Sequence, residues 1–240
     1  TVVLVTRPAF FDMLCDGGFV RHTRVPKLRE SLRGRATELV AAGITAAGKF
    51  VLADWLGLEL EYTIGAIAFW VTYVVLRHKA NRTILRRWGF RKAGIDEASI
   101  LSAIALAVGG GFCVVYAVLA GGAIVNGNLA LIMLLYPAWG LVQQFLLVAL
   151  LADNLMALTR ERTPEFVIVM TSALVFSAIH FPETDLMIAT FFLGAATTLI
   201  FFRTRNLWAI GVLHGWFASL FYFLVMGHEP LAPLLTAAFG

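Results

Sequence analysis

Residues 129–151 read LALIMLLYPAWGLVQQFLLVALL, a run without a charge that carries two adjacent amides, Gln143 and Gln144. At ~1.5 Å rise per residue this run extends ~34 Å as a helix, enough to cross a hydrocarbon core of ~30 Å. Working outward, similar runs lie at 36–53, 60–77, 99–120, 164–182, 185–202 and 207–226. Of the 240 residues, 60% are hydrophobic and 14% charged, whereas a soluble domain is about a quarter charged. The expected fold is an all-α polytopic transmembrane helix bundle of about seven spans, within a range of six to eight.

Charge orients these spans. Arg7, Arg21, Arg24, Lys27, Arg29, Arg33 and Arg35 precede the first. Arg77, Lys79, Arg82, Arg86, Arg87, Arg91 and Lys92 lie in and around the connection after the second. Arg160 and Arg162 follow the fourth, and Arg203 and Arg205 the sixth. If the spans alternate, all but one of the 19 basic residues fall on a single side. The opposite connections carry Asp54, Glu59, Glu61, Glu183 and Asp185. The positive-inside rule makes the basic side, and the N-terminus with it, cytoplasmic.

The expected organisation is therefore a basic cytoplasmic tail over 1–35, a single bundle over 36–226 and a short outer tail over 227–240. Residues 1–35 do not have the three-part pattern of a cleaved signal peptide. The exception to the charge pattern, Lys49, reads as a side chain snorkelling to the interface. Basic segments in this setting mark the cytoplasmic face and meet anionic lipid, so no nucleic-acid partner is expected. The stretch Arg86-Arg87-Trp88-Gly89-Phe90 suits a short interfacial helix. Asn81-Arg82-Thr83 matches a glycosylation sequon but on the cytoplasmic side. Cys15 and Cys113 stand far apart and suggest neither a disulfide framework nor a metal motif.

Polar side chains are costly in hydrocarbon, and those found there usually face the protein interior. His180 and His214 each sit in an apolar run, and with Gln143 and Gln144 they are the candidate site. Gly211-Val212-Leu213-His214-Gly215 has small residues four apart around a histidine, which lets a neighbouring backbone approach. Gly109-Gly110-Gly111 suits a kink or a close helix contact, and Pro137 predicts a kink before the glutamines. Each polar residue also has a structural reading. His180 could bond a nearby carbonyl, and the glutamines could be interhelical hydrogen-bond glue worth ~0.6 kcal/mol.

Taken together, Gln143-Gln144, Phe176-Ser177-Ala178-Ile179-His180 and His214 resemble the CPBP family of CAAX-protease and bacteriocin-processing membrane proteins (Abi or Rce1-like). Its pattern runs Glu-Glu-x-x-x-Arg, Phe-x-x-x-His, His-x-x-x-Asn or Asp. Trp88-Gly89-Phe90-Arg91 and Arg203-Thr204-Arg205-Asn206-Leu207-Trp208 are similar to the family's turns, so the resemblance covers about 84–225. It implies an intramembrane endopeptidase in which a first-motif glutamate activates water, the first histidine assists, and the last histidine with its asparagine stabilises the oxyanion. Phe176, His180 and His214 match. The glutamate positions fall on Gln143 and Gln144, the arginine on Val148 and the asparagine on Ala218.

A general base must accept a proton near operating pH, which a neutral amide does not do. Loss of an oxyanion donor typically costs about 10²–10³ in rate. The expected function is thus a non-proteolytic binding or assembly module for a membrane peptide, lipid or partner helix, with Gln143, Gln144 and Phe176 as binding residues. The alternative is a divergent endopeptidase with His180 and His214 catalytic. No cofactor is expected; a metal held by the two histidines would lack a nearby carboxylate, which makes a poor zinc site. A haem or pigment protein usually places several histidines at regular helical spacing. Expected partners are membrane lipids and a membrane peptide or second subunit, and the expected location is a bacterial inner (plasma) membrane.

Overall fold

The structure, a computed structural model, describes residues 32–121, 123, 128–159 and 162–229. The tail over 1–31 with Cys15, Arg160, and the outer tail beyond 229 lie outside the described residues. Among the described residues eight helices follow one another: α1 (Leu32–Trp55), α2 (Glu59–Ala80), α3 (Ile84–Arg87), α4 (Ile95–Ala120), α5 (Asn128–Leu158), α6 (Glu165–Ala178), α7 (Thr184–Thr204) and α8 (Leu207–Met226). No strand occurs among the described residues. The chain is an integral membrane helix bundle: α1, α2, α4, α5, α7 and α8 are long and apolar enough to cross a membrane.

The fifth expected span differs. Its helix, α6, has 14 residues and so extends only ~21 Å. Residues 179–182 then form turns before α7 begins. The mixture of proline, a glutamate and a histidine at 180–183 stops the helix before His180, so that histidine sits in a turn.

The centre of the bundle is the crossing of α5 and α8. A Cβ added at Gly140 would come 2.6 Å from the Gly211 carbonyl oxygen, and one at Gly215 would come 2.4 Å from the Pro137 nitrogen. These glycines let the two backbones touch, as the spacing around His214 predicts. Pro137 has no N–H, which leaves the Met133 carbonyl without its usual helical donor. The Trp216 indole donates to that oxygen across the helix pair at 3.0 Å. The proline is thus built into the interface. In α4 the triple glycine serves contact rather than a break in the helix. Gly109 and Gly110 lie against Phe217 and Leu220 of α8, while Gly111 faces open space.

Outward-facing apolar side chains such as Val108, Leu119, Leu134 and Phe166 are mostly exposed, as expected of surfaces in contact with lipid tails.

At the basic end, the segment after α3 docks on the turn between α7 and α8. The Leu207 N–H donates to the Gly89 carbonyl at 2.9 Å, and the Asn206 amide donates to the Arg91 carbonyl at 2.7 Å. Asn206 Oδ1 also accepts from the Trp208 and Ala209 N–H groups, capping α8. Gly94 has φ +75°, and a Cβ there would meet the Thr204 carbonyl oxygen at 2.5 Å. The stretch expected to lie at the interface is instead folded inward. Trp88 is fully buried, edge-on to the Phe145 ring at 5.2 Å, and Arg87 is buried too.

Arg87 is buried because Glu38 is. The Glu38 carboxylate, in α1, accepts from the Arg87 guanidinium, from Asn154 Nδ2 at 2.8 Å and from the Tyr73 hydroxyl at 2.8 Å. Beside it Asp153 pairs with Arg35 at 3.1 Å and Arg205 at 2.7 Å. Arg35 also donates to Asn154 Oδ1 at 3.2 Å. A buried carboxylate is tolerable only when paired and hydrogen-bonded, and here each is. The cluster ties α1, α2, α3, α5 and the α7–α8 turn together.

Candidate functional site

Gln144 and His214 meet directly. Gln144 is the last residue of α5 before its backbone widens into a π-helical stretch, Phe145–Ala152. Such stretches are often found at functional sites. His214 lies in α8 between Gly211 and Gly215, whose bareness brings α5 alongside. Gln144 Nε2 stands 2.9 Å from His214 Nδ1, and both side chains are buried.

Phe176, in the last turn of α6, lies between the two histidines. Its ring stands edge-on to the His180 ring at 5.1 Å and to the His214 ring at 5.6 Å. His180 folds back over the end of α6, with Nδ1 2.7 Å from the Phe176 carbonyl oxygen. The carbonyl bond expected of His180 is therefore made, and the histidine still joins the group.

Sequence spacing accounts for the depth. Gln144 lies nine residues before Asp153, and His214 nine residues after Arg205, which are ion-paired. Both therefore stand ~13 Å from the ion cluster along their helices. Measured from the start of α6, Phe176 is eleven residues along, or ~16 Å. His180 and His214 are thus joined through the Phe176 ring.

Gln143, next to Gln144 in the chain, is half-buried. Its Oε1 and the Oε1 of Gln144 are buried and accept no hydrogen bond. Val148 is fully buried in the main apolar core, and Ala218 packs with Ile132, Tyr136 and Phe223. Glu183 is exposed; its N–H bonds the His180 carbonyl, which leaves its carboxylate on the surface. Among the described residues no three His, Cys, Asp or Glu side chains gather as a metal-binding group.

Two features lay beyond the sequence reading. Lys49 does not simply snorkel: its ammonium donates to Asp54 at 2.8 Å and to the Phe181 carbonyl at 3.3 Å, which brings α1 to the residue after His180. The buried ion cluster also went unseen, because its arginines were read only as markers of sidedness. The visible signal was Asp153-Asn154 directly after an apolar run, and Glu38 three residues after Arg35 on a helix face.

A bundle of membrane helices with Gln144, Phe176, His180 and His214 gathered at one place is the class of protein the motifs imply. Residues 125–220 match the family model described as type II CAAX prenyl endopeptidase Rce1-like. Over that segment the resemblance read from the motifs is borne out, and the protein is a membrane helical bundle whose residues 125–220 are similar to that family. No curated protein and no solved structure matches the chain.

Proposed function

We propose that this protein is a non-proteolytic binding or assembly module, a CAAX-protease-like bundle that accepts a membrane peptide, a lipid or a partner helix. One observation carries this reading. The side chain bonded to His214 is an amide, which takes up no proton near neutral pH and so cannot serve as the general base that a glutamate there would be. Val148 and Ala218, at the positions of the family's arginine and asparagine, are packed apolar residues and supply no compensating charge or donor. The location that fits is a bacterial inner membrane.

The second reading is a divergent endopeptidase that uses His180 and His214. What favours it is the shared Phe176 ring, which keeps both imidazoles at one site. Reconstituted full-length protein, incubated with a panel of membrane-spanning peptides, separates the two. The expected result is no cleavage. Cleavage by the wild type that disappears in His214→Ala overturns the proposal.

A further inference from the structure

At the basic end, the turn after α3 is anchored by its backbone and not by its charge. The Gly89 and Arg91 carbonyls accept from the Leu207 N–H and the Asn206 amide, and the same amide reaches the Ala93 carbonyl at 3.4 Å. These main-chain bonds fix the position of Arg91 and leave its guanidinium for other work. That side chain is half-buried and donates from Nε to the Ala93 carbonyl at 3.2 Å. Among the described residues no carboxylate pairs with it.

The charge that Arg91 does feel is another arginine. Burial, and then the like charge of Arg205, push its pKa below the usual guanidinium value. Arg205 itself is engaged: it pairs with Asp153 at 2.7 Å, donates to the Arg87 carbonyl at 3.5 Å and lies over the Phe201 ring at 4.6 Å. Asp153 is shared between Arg205 and Arg35, so it leaves no carboxylate for a third guanidinium.

A half-buried cation beside a like charge is costly, and an anion relieves both terms. The paired Nη groups of a guanidinium fit two oxygens of a phosphate. The depth points to a lipid as its source. Phe90, the residue before Arg91, lies edge-on to the Trp208 ring at 5.3 Å, and Trp208 is exposed in the first turn of α8. Exposed tryptophans at the ends of membrane helices sit at headgroup level, where lipid phosphates and basic side chains meet.

We propose that Arg91, with the charge of Arg205 beside it, binds the phosphate of an anionic lipid in the leaflet at the basic end. This site is independent of whatever the Gln144–His214 pair holds.

Spin-labelled phosphatidylglycerol, titrated into full-length protein in phosphatidylcholine nanodiscs, tests it. Wild-type protein should immobilise the label saturably, and Arg91→Gln should weaken binding about tenfold, the factor one charge-assisted hydrogen bond supplies. The anchoring bonds are main-chain carbonyls, so this variant should keep the wild-type helicity. Arg82→Gln removes an equal charge from an exposed position at the same end and should change binding less than twofold.

Equal losses in the two variants mean diffuse surface attraction and overturn the site, as does unchanged binding in Arg91→Gln. Displacement of the labelled lipid by equimolar sn-glycerol 3-phosphate, which has the phosphate without the chains, overturns the lipid as the source.

Discussion

Gln144 is held by His214 and holds it in return, so its substitution should be felt as stability before anything else. Gln144→Leu leaves an imidazole nitrogen unpaired in an apolar interior. Interhelical hydrogen bonds in membranes average ~0.6 kcal/mol and reach ~1.7, so a loss near the upper end is expected for a fully buried pair. Reversible unfolding in mixed micelles measures it. Asn206 has more to lose, because its amide serves the Arg91 carbonyl and its oxygen caps α8. Asn206→Ala should cost about 1–2 kcal/mol by the same measurement. The four site residues were legible in the sequence because polar side chains stand out in hydrocarbon. What could not be read was which atoms face one another, since that depends on the rotation of three helices.

Among the elements, α5 and α8 form the pair on which the site depends. Gly215→Val puts a branched side chain where a single Cβ already comes within 2.4 Å of Pro137. The helices must part, and reversible unfolding in mixed micelles should show a loss of about 1–3 kcal/mol, the usual cost of overpacking. Unchanged stability would show that the crossing does not need the glycine. Trp216→Phe is a milder probe of the same seam. It keeps the ring but strips the donor from the Met133 carbonyl, and about 1 kcal/mol of destabilisation is expected. Apolar length and charge alternation revealed the long helices. They failed at α6, where a 19-residue apolar stretch from 164 to 182 reads as a span but breaks after Ala178. Hydropathy averages over a window and cannot see the turn at its end.

Across the whole molecule, the basic end is joined by charges that bury each other. Breaking one partner of a buried pair strands the other, typically at a cost of 3–5 kcal/mol, whereas apolar replacement of both is often far milder. Glu38→Leu and Arg87→Leu should therefore each destabilise strongly, and the double variant should recover a large part of either loss in a double-mutant cycle. If the losses simply add, the pair is not coupled. The Asp153 pairs with Arg35 and Arg205 should persist in all three variants, because they use separate atoms. The Rce1-like segment begins at residue 125, yet the cluster and the docked Trp88–Gly94 stretch make residues 32–94 part of the same body.

The ion cluster also dictates an order of events on the ribosome. Glu38 and its partner Asn154 are 116 residues apart in sequence. At about 5–20 residues per second, α1 waits roughly 6–23 s in the nascent chain before that amide is even synthesised. During this interval the Glu38 carboxylate has Tyr73, Arg77 and Arg87 of the following helices as partners, and Asp153 does not yet exist to receive Arg35. Newly made protein should thus be exposed to membrane quality control until its second half arrives. A chain stopped after α4 should be degraded quickly, and one stopped after α8 should persist.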